Sequence, residues 1–205
     1  MSLAQMQWKK VSLDEVILVW LRGEKRSRVL PLFSNTPFPR LTWEAGVNKL
    51  LDNPDLQNSE ENRARIRLLY IFRWIFLVEL PPDTLWYRVN NLTDHELSEL
   101  YAVNIDEWKD PSDNNEILKV GLRKGQQLVC HWSSWEPPIL LGHSRTGPFT
   151  IIEGNNRISS YIKSASNGLS IPVYIGLSSL KCIWSIFDDL KDRCDCLMQD
   201  LIAQK

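Results

Sequence analysis

Five consecutive residues late in the chain carry the side chains best suited to chemistry: Glu153, Gly154, Asn155, Asn156 and Arg157. A glycine lets backbone come close to a ligand. The first turn of a helix points unpaired N–H groups outward, and a guanidinium offers phosphate oxygens a planar fork. Together these features describe an anion cradle in which Gly154, Asn155 and Asn156 supply backbone and Arg157 supplies charge. Glu153 is the one candidate catalytic group, as a base or a magnesium ligand, although one carboxylate does not make a two-metal site. A plainer reading uses the same residues. Gly154, Asn155 and Asn156 then form a capping turn, and Glu153 and Arg157, four positions apart, form a surface ion pair worth well under ~1 kcal/mol.

The elements around this turn are the most regular in the sequence. Phe149, Thr150, Ile151 and Ile152 are aromatic or β-branched and predict a short buried strand, while Ile158, Tyr161 and Ile162 follow at helical spacing. Ile139-Leu140-Leu141-Gly142 predicts a preceding strand, joined through His143-Ser144-Arg145-Thr146-Gly147 as a β-hairpin. His143, Ser144 and Arg145 are therefore expected to reach the same ligand from the partner strand. After a helix to about Ser166, Ile171 to Gly176 predicts another strand, so a right-handed crossover onto a neighbouring position in one sheet is expected.

Pro138 to Leu141, Phe149 to Tyr161 with its Glu153-Gly154-Asn155-Asn156-Arg157 turn, and Ile171-Pro172-Val173-Tyr174 together resemble the core of the ParB/sulfiredoxin superfamily. The resemblance implies a small mixed sheet with flanking helices. It also implies a turn that binds a nucleotide, ATP, ADP or CTP with Mg2+, through Gly154, Asn155, Asn156 and Arg157, with hydrolysis or nuclease activity in some branches. Asn155 stands where sulfiredoxins carry their cysteine, so thiol repair is not implied. Partitioning proteins usually place a Glu and two Arg in the turn and continue into a helix-turn-helix domain, and neither pattern is expected here.

Before this core the sequence is helical. Ser12-Leu13-Asp14-Glu15 has the form of a capping box and opens a helix expected to stop at Gly23. Thr42 caps a second predicted helix, Trp43 to Leu51, and Ser59 a third, which runs to Leu77 before Pro81-Pro82. Leu85 to Val89 predicts a strand, Asn90-Asn91 a turn, and Thr93 to Glu96 another capping box. The expected class is α+β, with a helical subdomain over 1–82, an α/β core over 83–177 and a C-terminal helix over 178–205, capped by Ser178 or Ser179 and packed on that core.

Composition excludes several functions. Lys plus Arg number 24 against 25 Asp plus Glu, so nucleic acid is not expected as a partner except through a local patch such as Lys25, Arg26 and Arg28. Cys130, Cys182, Cys194 and Cys196 show no Cys-x-x-Cys or zinc spacing, no metal site is expected, and a reduced cytoplasmic chain is the default. The acidic run from Asp106 to Asn115 lacks the frame of a calcium loop. His95, in a predicted first turn, has no placed partner for catalysis. Leu68 to Leu80 is too short and too charged to span a membrane. Nine Trp residues and the absence of a complete acid/base set support an alternative function, a non-catalytic binding or regulatory protein that docks a protein partner.

Overall fold

The computed structural model describes residues 6–26, 40–78, 80–93, 100–101, 136–155, 157–158 and 170–180. Outside the described residues lie Arg28, the acidic run, the four cysteines, Asn156, and Asp94, His95 and Glu96 of the predicted capping box, together with residues 159–169 of the helix predicted after Arg157 and residues 181–205 of the predicted C-terminal helix. Thr93 ends a strand instead of capping a helix.

The first helix starts as the sequence predicts and continues past its predicted end. Ser12 Oγ accepts the N–H of Glu15 at 3.1 Å, half of a capping box. The other half is diverted, because the Glu15 carboxylate accepts the hydroxyl of Tyr174 at 2.7 Å instead. Helix α1 spans Leu13–Arg26, so Gly23 lies inside it and is not its terminator. The reason becomes plain at the charge cluster described below. Helix α2 spans Arg40–Asp52 and α3 spans Ser59–Val78. Asn58, and not Ser59, caps α3: its Oδ1 accepts the N–H groups of Glu60 and Glu61. Arg65 is buried between α2 and α3. It donates to the carbonyls of Leu50 at 3.1 Å and Asp55 at 2.9 Å, and to Asn62 and Glu61. α3 is broken at Arg73, where φ is −137° and ψ 34°.

Five strands form a mixed sheet: β1 (Trp8–Lys10), β2 (Leu85–Thr93), β3 (Ile139–Gly142), β4 (Phe149–Glu153) and β5 (Ser170–Leu177). Their order across the sheet is β1-β2-β5-β3-β4. β3 runs parallel to β5, and the other pairs are antiparallel. The predicted hairpin of β3 and β4 is present. The predicted crossover needs correction, because β5 neighbours β3, not β4, and runs antiparallel to β4. Tyr101 bridges the outer side of β4 at Thr150, with N–H and C=O bonds to Phe149 and Ile151. Asn90-Asn91 is a register shift within β2, not a turn, and the strand continues past it to Thr93.

Alternation along the strands sends apolar side chains to both faces. Trp86, Ile139, Leu141, Ile152 and Tyr174 meet α1, α2 and α3 in one core containing Ile17, Trp20, Leu21, Leu51 and Leu69. Val89, Leu140, Phe149, Ile151, Val173 and Ile175 meet Leu100 and Ile158 on the other face. The class is α+β. The helical segment shares its core with the sheet, and β1 joins that sheet from within residues 1–82, so the division near residue 82 marks a change in sequence character more than a gap between cores. Among the described residues no helix is long and apolar enough to cross a membrane.

Candidate functional site

β4 delivers Glu153 opposite Ile139, after a register shift that skips Ile152. The chain then turns at Gly154, whose φ of +99° is a conformation that side chains disfavour. A Cβ there would also lie 3.1 Å from Pro138 Cβ and 3.4 Å from Arg157 Nη2, so glycine is required twice over. A helical turn begins at Asn155, and the Ile158 N–H closes onto the Gly154 carbonyl at 2.9 Å. Asn155 Nδ2 donates back to the Ile151 carbonyl at 3.5 Å, which ties the turn to the strand.

The Arg157 guanidinium is engaged within the protein. Nη2 donates to Glu153 Oε1 at 2.5 Å and Nη1 donates to the backbone carbonyl of Glu136. The Glu153 and Arg157 side chains are only 17% and 16% exposed, so the pair is mostly buried and not the surface ion pair of the plainer sequence reading. What covers it is α1. A Cβ on Gly23 would sit 3.2 Å from Arg157 Nη2 and 3.5 Å from Glu153 Oε1, so this glycine leaves room for the charges against the helix.

One residue further along α1, Glu24 is buried and accepts from Arg73 Nε at 2.6 Å. The two ion pairs act on each other. Burial pushes the Glu153 carboxyl above its ordinary range; the Arg157 guanidinium pulls it down, the nearby Glu24 carboxylate pushes it up and Arg73 pulls it down again. The site is therefore a cluster of two carboxylates and two guanidiniums where α1, the break in α3 and the end of β4 converge. Sequence reasoning missed Gly23, Glu24 and Arg73. The available signal was an acidic residue directly after a glycine inside an apolar helix, and it was hidden by reading that glycine as a terminator.

The hairpin residues are elsewhere. Gly142 pairs with Phe149 at one end of β4 and Ile139 with Glu153 at the other. His143, Ser144 and Arg145 thus lie a strand's length, about 13 Å at ~3.3 Å per residue, from the Glu153 end. His143 Nδ1 is 2.8 Å from the Ser178 carbonyl, and Ser144 Oγ bonds within its own loop to Thr146 Oγ1 and the Gly147 carbonyl. Arg145 lies over the rings of Trp8 and Tyr87, at 5.2 and 5.4 Å from their centroids. The expectation that these three converge with Gly154 and Arg157 is corrected: the hairpin joins the two strands but holds its loop at the far end.

Three basic residues of the helical layer are likewise used internally. Lys25 bonds both oxygens of Asp52, Arg65 is buried, and Arg73 serves Glu24. Among the described residues no group of three or more His, Cys, Asp or Glu side chains is arranged to hold a metal ion. Comparison of the chain with protein-family models, with curated proteins and with solved structures finds no match in any of the three.

Proposed function

We propose that this protein binds a phosphorylated ligand, a nucleotide in the first instance, at the turn after β4, with Arg157 passing from the Glu153 carboxylate to a phosphate. The observation that carries this reading is the pair itself: an acidic group rests on the guanidinium of the helical turn's first residues, beside a glycine of positive φ. A phosphate is a stronger bidentate acceptor for that fork than one carboxylate oxygen. Burial raises the Glu153 pKa, so its charged form is the costlier occupant of the site. The resemblance of this turn to that of the ParB/sulfiredoxin superfamily supports the same ligand class. In this reading Glu153 competes with the ligand and releases the arginine, and any hydrolytic role for it follows from binding.

Calorimetric titration with ATP, ADP and CTP in the presence of Mg2+ tests the proposal. Wild type is expected to bind at least one of them, Glu153→Gln to bind it several-fold more tightly, and Arg157→Lys, which keeps the charge but loses the fork, more weakly. Failure of both wild type and Glu153→Gln to bind any of the three would end the proposal.

A further inference from the structure

The cluster at the end of β4 contains two guanidiniums that differ in what they can reach. Arg157 is the more buried, at 16% exposure, and both its terminal nitrogens are engaged, by Glu153 and by the Glu136 carbonyl. The Arg73 side chain is 31% exposed, although the Glu24 carboxylate it holds is 1% exposed. That contact is made by Nε, at 2.6 Å from Glu24 Oε1. Among the described residues neither terminal nitrogen of Arg73 has a hydrogen-bond partner, so its planar fork is open while its buried carboxylate is satisfied.

α1 brings the two guanidiniums together. Gly23 leaves room for the Arg157 fork, since a Cβ there would sit 3.2 Å from Nη2, and the next residue, Glu24, holds Arg73. Burial raises the Glu153 pKa and both guanidiniums act against it, so both lie within electrostatic reach of the carboxylate that a phosphate would displace. Without a ligand, two guanidiniums are matched by two carboxylates, Glu24 and Glu153. A phosphate group adds about 1.5 to 2 negative charges at pH 7. Placed beside two carboxylates it calls for further positive charge, and Arg73 can turn its terminal nitrogens to it without leaving Glu24.

We propose that Arg73 is a second phosphate-binding residue that sets specificity: its terminal nitrogens hold one phosphate of a nucleoside diphosphate or triphosphate while Arg157 holds the neighbouring one. The assignment rests on the reading of Arg157 as a phosphate ligand and narrows it to compounds with at least two linked phosphates. Two forks from different elements, α3 and the turn after β4, meet two linked groups at two points, whereas a monophosphate occupies the Arg157 fork alone.

Calorimetric titration of the full chain with AMP, ADP, CMP and CDP, without Mg2+ so that a metal does not mask the protein's charges, reads the role of Arg73 as a ratio of affinities. In wild type the diphosphate of the preferred base is expected to bind about tenfold more tightly than its monophosphate, as one added charge-assisted contact gives. Arg73→Gln, which keeps a donor for Glu24, should bring that ratio to about threefold or less. Glu24→Gln, which removes the charge competing for Arg73, should raise it above the wild-type value. Damage to the fold alone would weaken both compounds together and leave the ratio where it was. Equal binding of monophosphate and diphosphate by wild type would overturn the role of Arg73 and leave Arg157 as the phosphate ligand. So would a ratio unchanged in Arg73→Gln or, should that variant not fold, in Glu24→Gln. Failure of both wild type and Glu153→Gln to bind any of the four compounds would remove the phosphate reading and this assignment with it.

Discussion

Arg157 shows how much a residue's surroundings decide what its type can do. Spacing alone pairs it with Glu153, and on an exposed helix such a pair contributes a few tenths of a kcal/mol. Here the pair is mostly buried, so removing one partner strands the other charge. Arg157→Ala is expected to lower unfolding free energy by about 3 kcal/mol, the lower end of values for breaking a buried pair, in urea titrations followed by circular dichroism. Glu153→Gln, which keeps an acceptor oxygen for the guanidinium, should cost less than half of that. The order of these two variants distinguishes a structural cluster from an exposed bridge, for which both would be near zero. The i,i+4 contact was legible in the sequence. Its burial was not, because the groups that cause it, Gly23, Glu24 and Arg73, come from helices far upstream, and pattern within a window cannot report what a helix packs against.

The elements divide along similar physical lines. β3, β4 and β5 were legible because both faces of the central strands are buried and their sequences are near-continuous apolar runs. β1 was not: Trp8-Lys9-Lys10 is short, partly exposed and carries two charges, and only its pairing with Val89, Arg88 and Tyr87 makes it a strand. The helix starts read correctly at Ser12 and within one residue at Asn58, where a cap is a local bond. Thr42, expected to cap the second helix, instead lies inside α2, which begins at Arg40, and the stop at Gly23 failed because its glycine serves tertiary packing. The two helix glycines offer a test. A Cβ on Gly46 in α2 would meet nothing within 4 Å, so Gly46→Ala should raise stability by about 1 kcal/mol through helix propensity. Gly23→Ala gains the same propensity but presses its methyl against the Arg157 fork, and should fall measurably short of that gain in the same denaturation experiment.

At the scale of the molecule, two acidic groups among the described residues have opposite shifts and so contribute oppositely to the response to pH. Asp83 is held below its ordinary value of 3.8 by hydrogen bonds from Ser178 and then Ser179. Its contribution is present above that value and lost as pH falls through the lower folded one. Glu153 is raised above 4.5, mainly by burial, so its contribution is full below 4.5 and lost as pH rises through the folded value. Stability from these two groups is therefore greatest in weak acid. Thermal unfolding from pH 3 to 8 should show Asp83→Asn reducing the loss on the acid side and Glu153→Gln flattening the decline above pH 4.5. If each variant merely lowers the curve uniformly, neither shift contributes to stability.

The hydroxyl that Tyr174 donates to Glu15 is a hinge pin between layers: beside the shared core, it is a polar link by which a central strand holds the helix lying across it. Burial, and then the Glu15 carboxylate, raise this phenol above its ordinary pKa of 10.0. In an alkaline titration watched at the tyrosinate absorbance, Tyr174 should remain dark as the pH passes 10.0, and should appear only when the helical layer lifts from the sheet. Glu15→Gln should bring that last step to lower pH. The protein thereby carries its own optical reporter of whether its two layers are joined.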